Sequence, residues 1–460
     1  MKKQITELIK YIIYILMGLQ IFMGILWGIS NMAKVPAFQQ SIEMFQMSSD
    51  LLLDEYTGIL YPLLIKAIQF VTKYIPIPVC SILYILQLGI AYMVYEEFLA
   101  KIIFANRHNI KIRKQIRFFA GYILTIPIIL QVHMAVLPYS LASSLMVHIL
   151  TELIGLYRKS APIKAKEYIK LAFWWLLCGQ ICIDCIWLIM LPVLIWVVSY
   201  LIRNKKLELS ILMLVVLVLA GNGICNSAFQ DRENTGKIQN SWEAVMLKRV
   251  VWPNFSRFSY FWKEEIREIW NDSELLGLST YPEKVINDFG PTIDGMFGRQ
   301  EANSIYRQMI GRSFELDTRQ IVLTATKEMV AYICPPVSTY LQLKGMGTSY
   351  TGWNYGRMKD YTPRLTGIYV EICLSGWIFI MVLLFLAKIL TWREKEWLPM
   401  EERKYRRWTA GYLLITVVWV AIWYVLVSAH MQDYLKVPVI SVIWTFGIIA
   451  VFSRIDKANN

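Results

Sequence analysis

The sequence predicts an all-α, polytopic helical membrane protein of about ten spans, with a helical extracytoplasmic domain. Three observations predict it. The 460-residue chain is 56% hydrophobic and only 18% charged, whereas soluble domains carry about 25% charge. Its mean hydropathy is +0.43. The apolar residues also gather into runs long enough to cross a bilayer, for which about 20 residues suffice. A soluble enzyme, a disordered chain and a fibrous repeat are excluded on these grounds. The net charge of +13 sits in short loops between apolar runs. It therefore reports orientation by the positive-inside rule and not a nucleic-acid partner.

The first run, Tyr11–Ile29, follows Lys2, Lys3 and Lys10. No small-residue cleavage site follows it, so it reads as an uncleaved anchor with a cytoplasmic N-terminus. The next apolar stretch, Gly58–Tyr74, is interrupted at helical spacing by Lys66, Gln69 and Lys73 and ends at Pro76 and Pro78. It reads as an interfacial or re-entrant helix on the outer face. If it spanned, the basic loop Lys101–Arg117 would fall outside, against the charge bias. Val79–Leu99 then runs inward, Phe118–Val132 outward and Leu141–Leu156 back to the basic segment Tyr157–Lys170. Leu171–Ile202 is too long for one span at 1.5 Å rise per residue and folds into a hairpin turning near Asp184. Leu209–Ile224 leads out. Ile368–Leu390, Ala410–Ser428 and Val437–Phe452 complete the set.

These runs give three regions: a transmembrane module at 1–225 with an acidic first outer loop at 30–78, a mainly helical extracytoplasmic domain at 226–367, and C-terminal transmembrane helices at 368–460. Both termini are expected in the cytoplasm of a plasma membrane, and the Lys- and Ile-rich composition suggests a bacterial source. In the outer domain Trp242–Arg249, Phe261–Trp270, Ala302–Gly311 and Asp317–Cys334 carry helical patterns separated by prolines. Asn254–Ser256 and Asn271–Ser273 match the glycosylation sequon, which a bacterial source would leave silent.

Seven cysteines are present, an odd number that argues against a full disulfide framework. Cys178, Cys182 and Cys185 lie among Trp and Ile. They read as small buried thiols, since zinc ligands usually come as separated pairs in a polar context. Ionisable residues within spans mark functional candidates. His148 and Glu152, one helical turn apart, can pair with each other or form part of a proton path. Glu96 and Glu97 are read as solvated near the cytoplasmic end of their span. The first outer loop gathers Glu43, Asp50, Asp54 and Glu55, and a carboxylate there suits a general base or simply solvates a surface helix. Gly345–Arg357 interleaves glycines with Trp353, Asn354, Tyr355 and Arg357. Two readings stand for it, an aromatic belt at the membrane surface and contact with a sugar face and phosphate oxygens.

The acidic first loop followed by Leu60-Tyr61-Pro62-Leu63-Leu64 resembles the GT-C superfamily of multispanning glycosyltransferases. The resemblance covers roughly Tyr11–Asn226 in architecture and is specific over about Phe38–Ala67. It implies transfer of a sugar from a polyprenyl-phosphate-linked donor to a glycan or lipid acceptor at the outer face. On this reading Glu43, or failing it Asp54 or Asp50, removes the acceptor's proton. Arg249, Arg257 or Arg357 holds the carrier phosphate, and His133 and Tyr139 line the groove. Two departures bear on this. Gln40 stands where the family carries Asp. The second outer loop, His133–Tyr139, has no acid, so a metal site shared by two acidic loops is not expected. The sequence assigns no cofactor, and a divalent cation is the one candidate. The alternatives are a cell-surface polysaccharide polymerase or ligase, served by the many outer arginines, and a non-catalytic transporter or assembly protein. Against a transporter, no internal repeat is visible.

Overall fold

The computed structural model describes residues 2–32, 58–102, 110–159, 163–204, 215–223, 242–255, 285, 289–333, 363–391, 400–423 and 443. Among these the architecture is helical throughout, with no strand. The chain divides into two compact units. The first comprises 1–230, 357–419 and 437–460, and the second comprises 231–356 and 420–436.

In the first unit α1 (Lys2–Met32) is followed by the short α2 (Leu60–Thr72), α3 (Val79–Ile102), α4 (Ile110–Leu124), α5 (Pro127–His133), α6 (Pro138–Arg158), α7 (Ala165–Ile181) and α8 (Asp184–Asn204). The helices α11 (Pro363–Thr391) and α12 (Met400–Ile422) come later in the chain. Among the described residues five helical stretches are long and apolar enough to cross a membrane: Gln4–Met32, Val79–Lys101, Pro138–Arg158, Cys185–Arg203 and Arg364–Ala387. Pro138–Arg158 buries 83% of its apolar window against 22–44% for the others, which makes α6 the central helix. It packs on α3, α7 and α8. Its sequence explains how. Ala142, Ser143 and Ser144 leave room for close approach. The hydroxyls of Ser143 and Ser144 donate to the Ser140 carbonyl at 2.9 and 3.2 Å, so they bring no unpaired donor into the core.

Three breaks in the helices position everything else. The expected run Phe118–Val132 is not one helix. Pro127 has no N–H, and it holds Ile126 in an extended conformation (φ −65°, ψ 126°). The chain therefore breaks between α4 and α5. The carbonyls at the break find new donors. Gln20 Nε2 donates to Tyr122 O at 3.2 Å, and the Tyr369 hydroxyl donates to Thr125 O. The second break is the hairpin expected near Asp184, which the structure makes at Cys182–Ile183, between α7 and α8.

The third concerns α2. At 13 residues it is about 20 Å long, short of the roughly 30 Å hydrocarbon core. It buries Tyr61, Pro62, Ile65 and Ile68 and packs on α3 and α7. Its entry is fixed by Gly58, whose N–H donates to Ile181 O at 3.2 Å. A Cβ on Gly58 would lie 1.9 Å from the Gln180 carbonyl oxygen, so only glycine fits.

The helix ends sort by charge. At one end of the first unit lie the pairs Arg117–Glu96 (3.4 Å), Lys101–Glu152 (2.5 Å) and Lys159–Glu167. There too Arg203 sits over the Tyr157 ring, 5.2 Å from its centroid, and Tyr157 stacks on Trp408. At the other end the contacts are neutral. Ser81 donates to Met32 O (2.9 Å), Trp27 to Thr366 (2.9 Å) and Gln180 to Asn222 (2.9 Å).

In the second unit α9 (Trp242–Met246) continues into a π-helical turn, Leu247–Val251, and α10 covers Gly290–Ile333. Gly298 (φ 72°) and Asp317 interrupt α10. Asp317 Oδ1 accepts the Gln320 N–H at 3.0 Å, so the expected helix start at Asp317 is a side-chain cap. Leu247, Val251, Phe255, Phe289, Ile293 and Tyr306 form the core. The expected helix at Phe261–Trp270 lies outside the described residues.

Candidate functional site

Two polar clusters are built into the first unit. In the first, His133 closes α5, and the elbow 134–137 turns the chain into α6. Both His133 nitrogens are engaged. The Tyr95 hydroxyl lies 2.9 Å from Nε2 and the Ser140 hydroxyl 2.8 Å from Nδ1. With a neutral ring, one nitrogen donates and the other accepts. Gln87 sits beside them. Two neighbouring carbonyls require its amide nitrogen as donor, His133 O at 2.8 Å and Ala135 O at 3.1 Å. Its own carbonyl accepts the Tyr61 hydroxyl at 3.0 Å.

His133, Gln87, Tyr61, Tyr95 and Ser140 are all fully buried. The network thus ties α2, α3, α5 and α6 together with every one of these bonds satisfied. Such networks rigidify rather than react. Tyr139, also buried at 6% exposure, belongs to the same elbow. His133 and Tyr139 therefore anchor the elbow from inside, where the sequence suggested a groove lining.

The basic end holds the ionised cluster. His148 Nδ1 lies 3.0 Å from Glu97 Oε2, so its partner is across the helix interface on α3 and not Glu152 one turn away. Glu152 instead takes Lys101 at 2.5 Å and Lys170 at 3.4 Å, and Lys101 also reaches Glu97 at 3.1 Å. Glu97 is accordingly a partner in a half-buried network and not a solvated end residue. Trp174 closes over the His148 ring edge-on at 4.9 Å.

Ligand atoms of Glu97, His148 and Glu152 all lie within 4.8 Å of one another, close enough for a cation. The Lys101 ammonium already occupies both carboxylates, so a divalent ion and the lysine compete for the same oxygens. The cluster balances its charge internally, two acids against two lysines. Of the three thiols near the α7–α8 break, Cys178 donates to Ala142 O at 3.6 Å, and all three are buried and free of disulfides. This agrees with their reading as packing residues.

The remaining sequence-derived residues fall as follows. Arg249 lies buried at 8% exposure, next to Lys248 at 2%, in the π-helical turn of the second unit. Glu43, Asp50 and Asp54, like Arg257, Trp353, Asn354 and Arg357, lie outside the described residues. The described residues on either side of the acidic segment, Met32 and Gly58, are both hydrogen-bonded. The Met32 carbonyl accepts Ser81 Oγ at 2.9 Å at its start, and Gly58 bonds Ile181 at its end. The Gln87 bridge and the α4–α5 break were not anticipated from the sequence. Pro127 was the available signal for the break; nothing local marks Gln87. Comparison of the chain with protein-family models, curated proteins and solved structures finds no match.

Proposed function

We propose that the protein is a membrane glycosyltransferase of the plasma membrane, moving a sugar from a polyprenyl-phosphate-linked donor to a glycan or lipid acceptor at the outer face. In this reading the chain has about ten spans, cytoplasmic termini and an extracytoplasmic second unit. One observation carries it. Met32 and Gly58, the described residues on either side of the acidic segment, are hydrogen-bonded to Ser81 and Ile181, and the helix that follows, α2, is at 13 residues short of a span and shares the Tyr61–Gln87 bond with the buried network. That arrangement gives a lipid-borne donor and a water-borne acceptor a common platform at the interface. The acceptor hydroxyl loses its proton to a carboxylate, Glu43 first, then Asp54 or Asp50. Its oxygen bonds the anomeric carbon while the carbon–oxygen bond to the carrier breaks, releasing polyprenyl phosphate. His133, Gln87 and Tyr61 act as positioning residues beneath this face.

Glu43→Gln, Asp50→Asn and Asp54→Asn, made singly, test it by transfer from a panel of polyprenyl-phosphate sugars. Loss of the base should slow transfer by about a hundred- to ten-thousand-fold in a protein that still melts normally. Full transfer by all three variants overturns the reading. The buried pair Lys248 and Arg249 favours a second reading, a polysaccharide polymerase or ligase. There, Arg249→Gln would abolish chain growth while the first-loop acids remain dispensable.

A further inference from the structure

At the basic end a groove of about 490 Å³ opens between the N-terminal halves of α1 and α4. Glu7, Lys10, Tyr11 and Tyr14 line it from α1, and Lys114, Gln115 and Phe118 from α4. Its floor is ordered. Gln115 Nε2 donates to the Tyr14 hydroxyl at 3.2 Å, and the Tyr14 ring meets Phe118 edge-on at 5.5 Å. Its rim is apolar and exposed. Tyr11 is 67% exposed, and Leu8 and Ile15 beside it on α1 are 60% and 68% exposed. Two ammonium groups, an acceptor carboxylate and an amide thus converge where a lipid-facing helix meets the charged end of the bundle. We propose that this groove is a binding site for the headgroup of an anionic glycerophospholipid. Lys10 and Lys114 engage the phosphodiester, the Glu7 carboxylate accepts headgroup hydroxyls, and Tyr11 and Phe118 carry the glycerol and upper acyl chain.

The phosphate chemistry alone would also suit a free anion. The lipid is favoured because the groove is open on its exposed Tyr11 side, continuous with the apolar stripe of α1. A basic pocket between helices near the cytoplasmic surface is a common form of such sites. The inference is independent of the transferase reading, since it concerns the opposite end of the bundle.

The test uses full-length protein, delipidated in detergent and titrated in native mass spectrometry. The probes are phosphatidylglycerol, phosphatidylcholine and water-soluble glycerol phosphate. Phosphatidylglycerol should form a saturable adduct, phosphatidylcholine should not, and glycerol phosphate should fail to displace it at equal concentration. Each lysine is worth about fivefold in affinity, so Lys10→Gln with Lys114→Gln should weaken the adduct about thirtyfold. Lys10→Arg with Lys114→Arg should retain it. Lys166→Gln with Lys404→Gln, bases at the same end outside the groove, should leave it unchanged. Equal binding of phosphatidylcholine, displacement by glycerol phosphate, full retention by the double Gln variant, or equal loss in the control variant each overturns the proposal. A headgroup-photoactivated phosphatidylglycerol supplies a check on unmodified protein. Crosslinks should map to residues 7–14 and 114–118, and their absence there overturns the site.

Discussion

Gly58 shows how one side chain can fix an element. Its N–H bonds the end of α7, and a Cβ would meet the Gln180 carbonyl at 1.9 Å. Relieving that overlap means moving backbone, since no flexible side chain is available to yield. Gly58→Ala should therefore lower stability by about 1–3 kcal/mol, read as a lower melting temperature in detergent. Gly18→Ala is the control. Nothing lies within 4 Å of that position in α1, so the change should be neutral or stabilise by up to about 1 kcal/mol through helix propensity. Equal losses at the two positions would contradict the packing argument. Asn254 makes a similar case in the second unit. Its amide donates to Ser313 O at 3.1 Å and Asp317 O at 3.2 Å, and the residue is fully buried. The sequon there is thus closed in the folded state. Expression in a glycosylating host should leave position 254 unmodified after folding, and Asn254→Ala should cost about 1–3 kcal/mol. A glycan mapped to Asn254 in folded protein would refute this.

Among the elements, α3 and α6 meet through charge as well as packing. Lys101 bridges Glu97 and Glu152, whose side chains are 31% and 16% exposed. Removing one partner of a fully buried pair costs roughly 3–5 kcal/mol. Partial exposure lowers this, so Lys101→Met should cost about 2 kcal/mol. Adding Glu97→Gln and Glu152→Gln should recover most of the loss, because the penalty is uncompensated charge and not missing contact. A triple variant no better than Lys101→Met would refute the uncompensated-charge argument. The sequence held much of this level in plain view. The hairpin at Cys182–Ile183 followed from the length of Leu171–Ile202, and the short α2 from Lys66, Lys73, Pro76 and Pro78. The α4–α5 break was signalled only by Pro127 inside an otherwise continuous apolar run. The partner of His148 was hidden. Helical spacing pointed to Glu152, but the α3–α6 interface brings Glu97, 51 positions away, within hydrogen-bond distance. Contacts between distant segments leave no local periodicity to read. For the same reason Gln87 gave no warning that it bridges His133, Ala135 and Tyr61.

At the scale of the molecule, orientation is the property on which both proposals depend. The ion pairs and exposed bases of α3, α4, α6, α7 and α8 gather at one end of the first unit, while Met32, Gly58, Ser81, Gln180 and Thr366 meet at the other through neutral contacts. The proposed orientation puts the bases in the cytoplasm, as the positive-inside rule expects of a bundle so polarised. The acidic first segment then faces outward, where the transferase needs it, and the α1–α4 groove faces the inner leaflet, where anionic lipid is enriched. Both placements stand or fall on the orientation of the bundle, in which Met32 and Ser81 share one end and α2 lies between them in sequence. At 13 residues α2 is too short to cross without thinning the bilayer. His108→Cys and Arg232→Cys probe the two sides. Intact cells treated with a membrane-impermeant maleimide should label position 232 and spare position 108, which should react only after lysis. Labelled peptides are read by mass so that the native cysteines do not interfere. Labelling of position 108 in intact cells would place the basic end outside. The acidic segment would then face the cytoplasm, and a donor carried on the outer leaflet could not reach it.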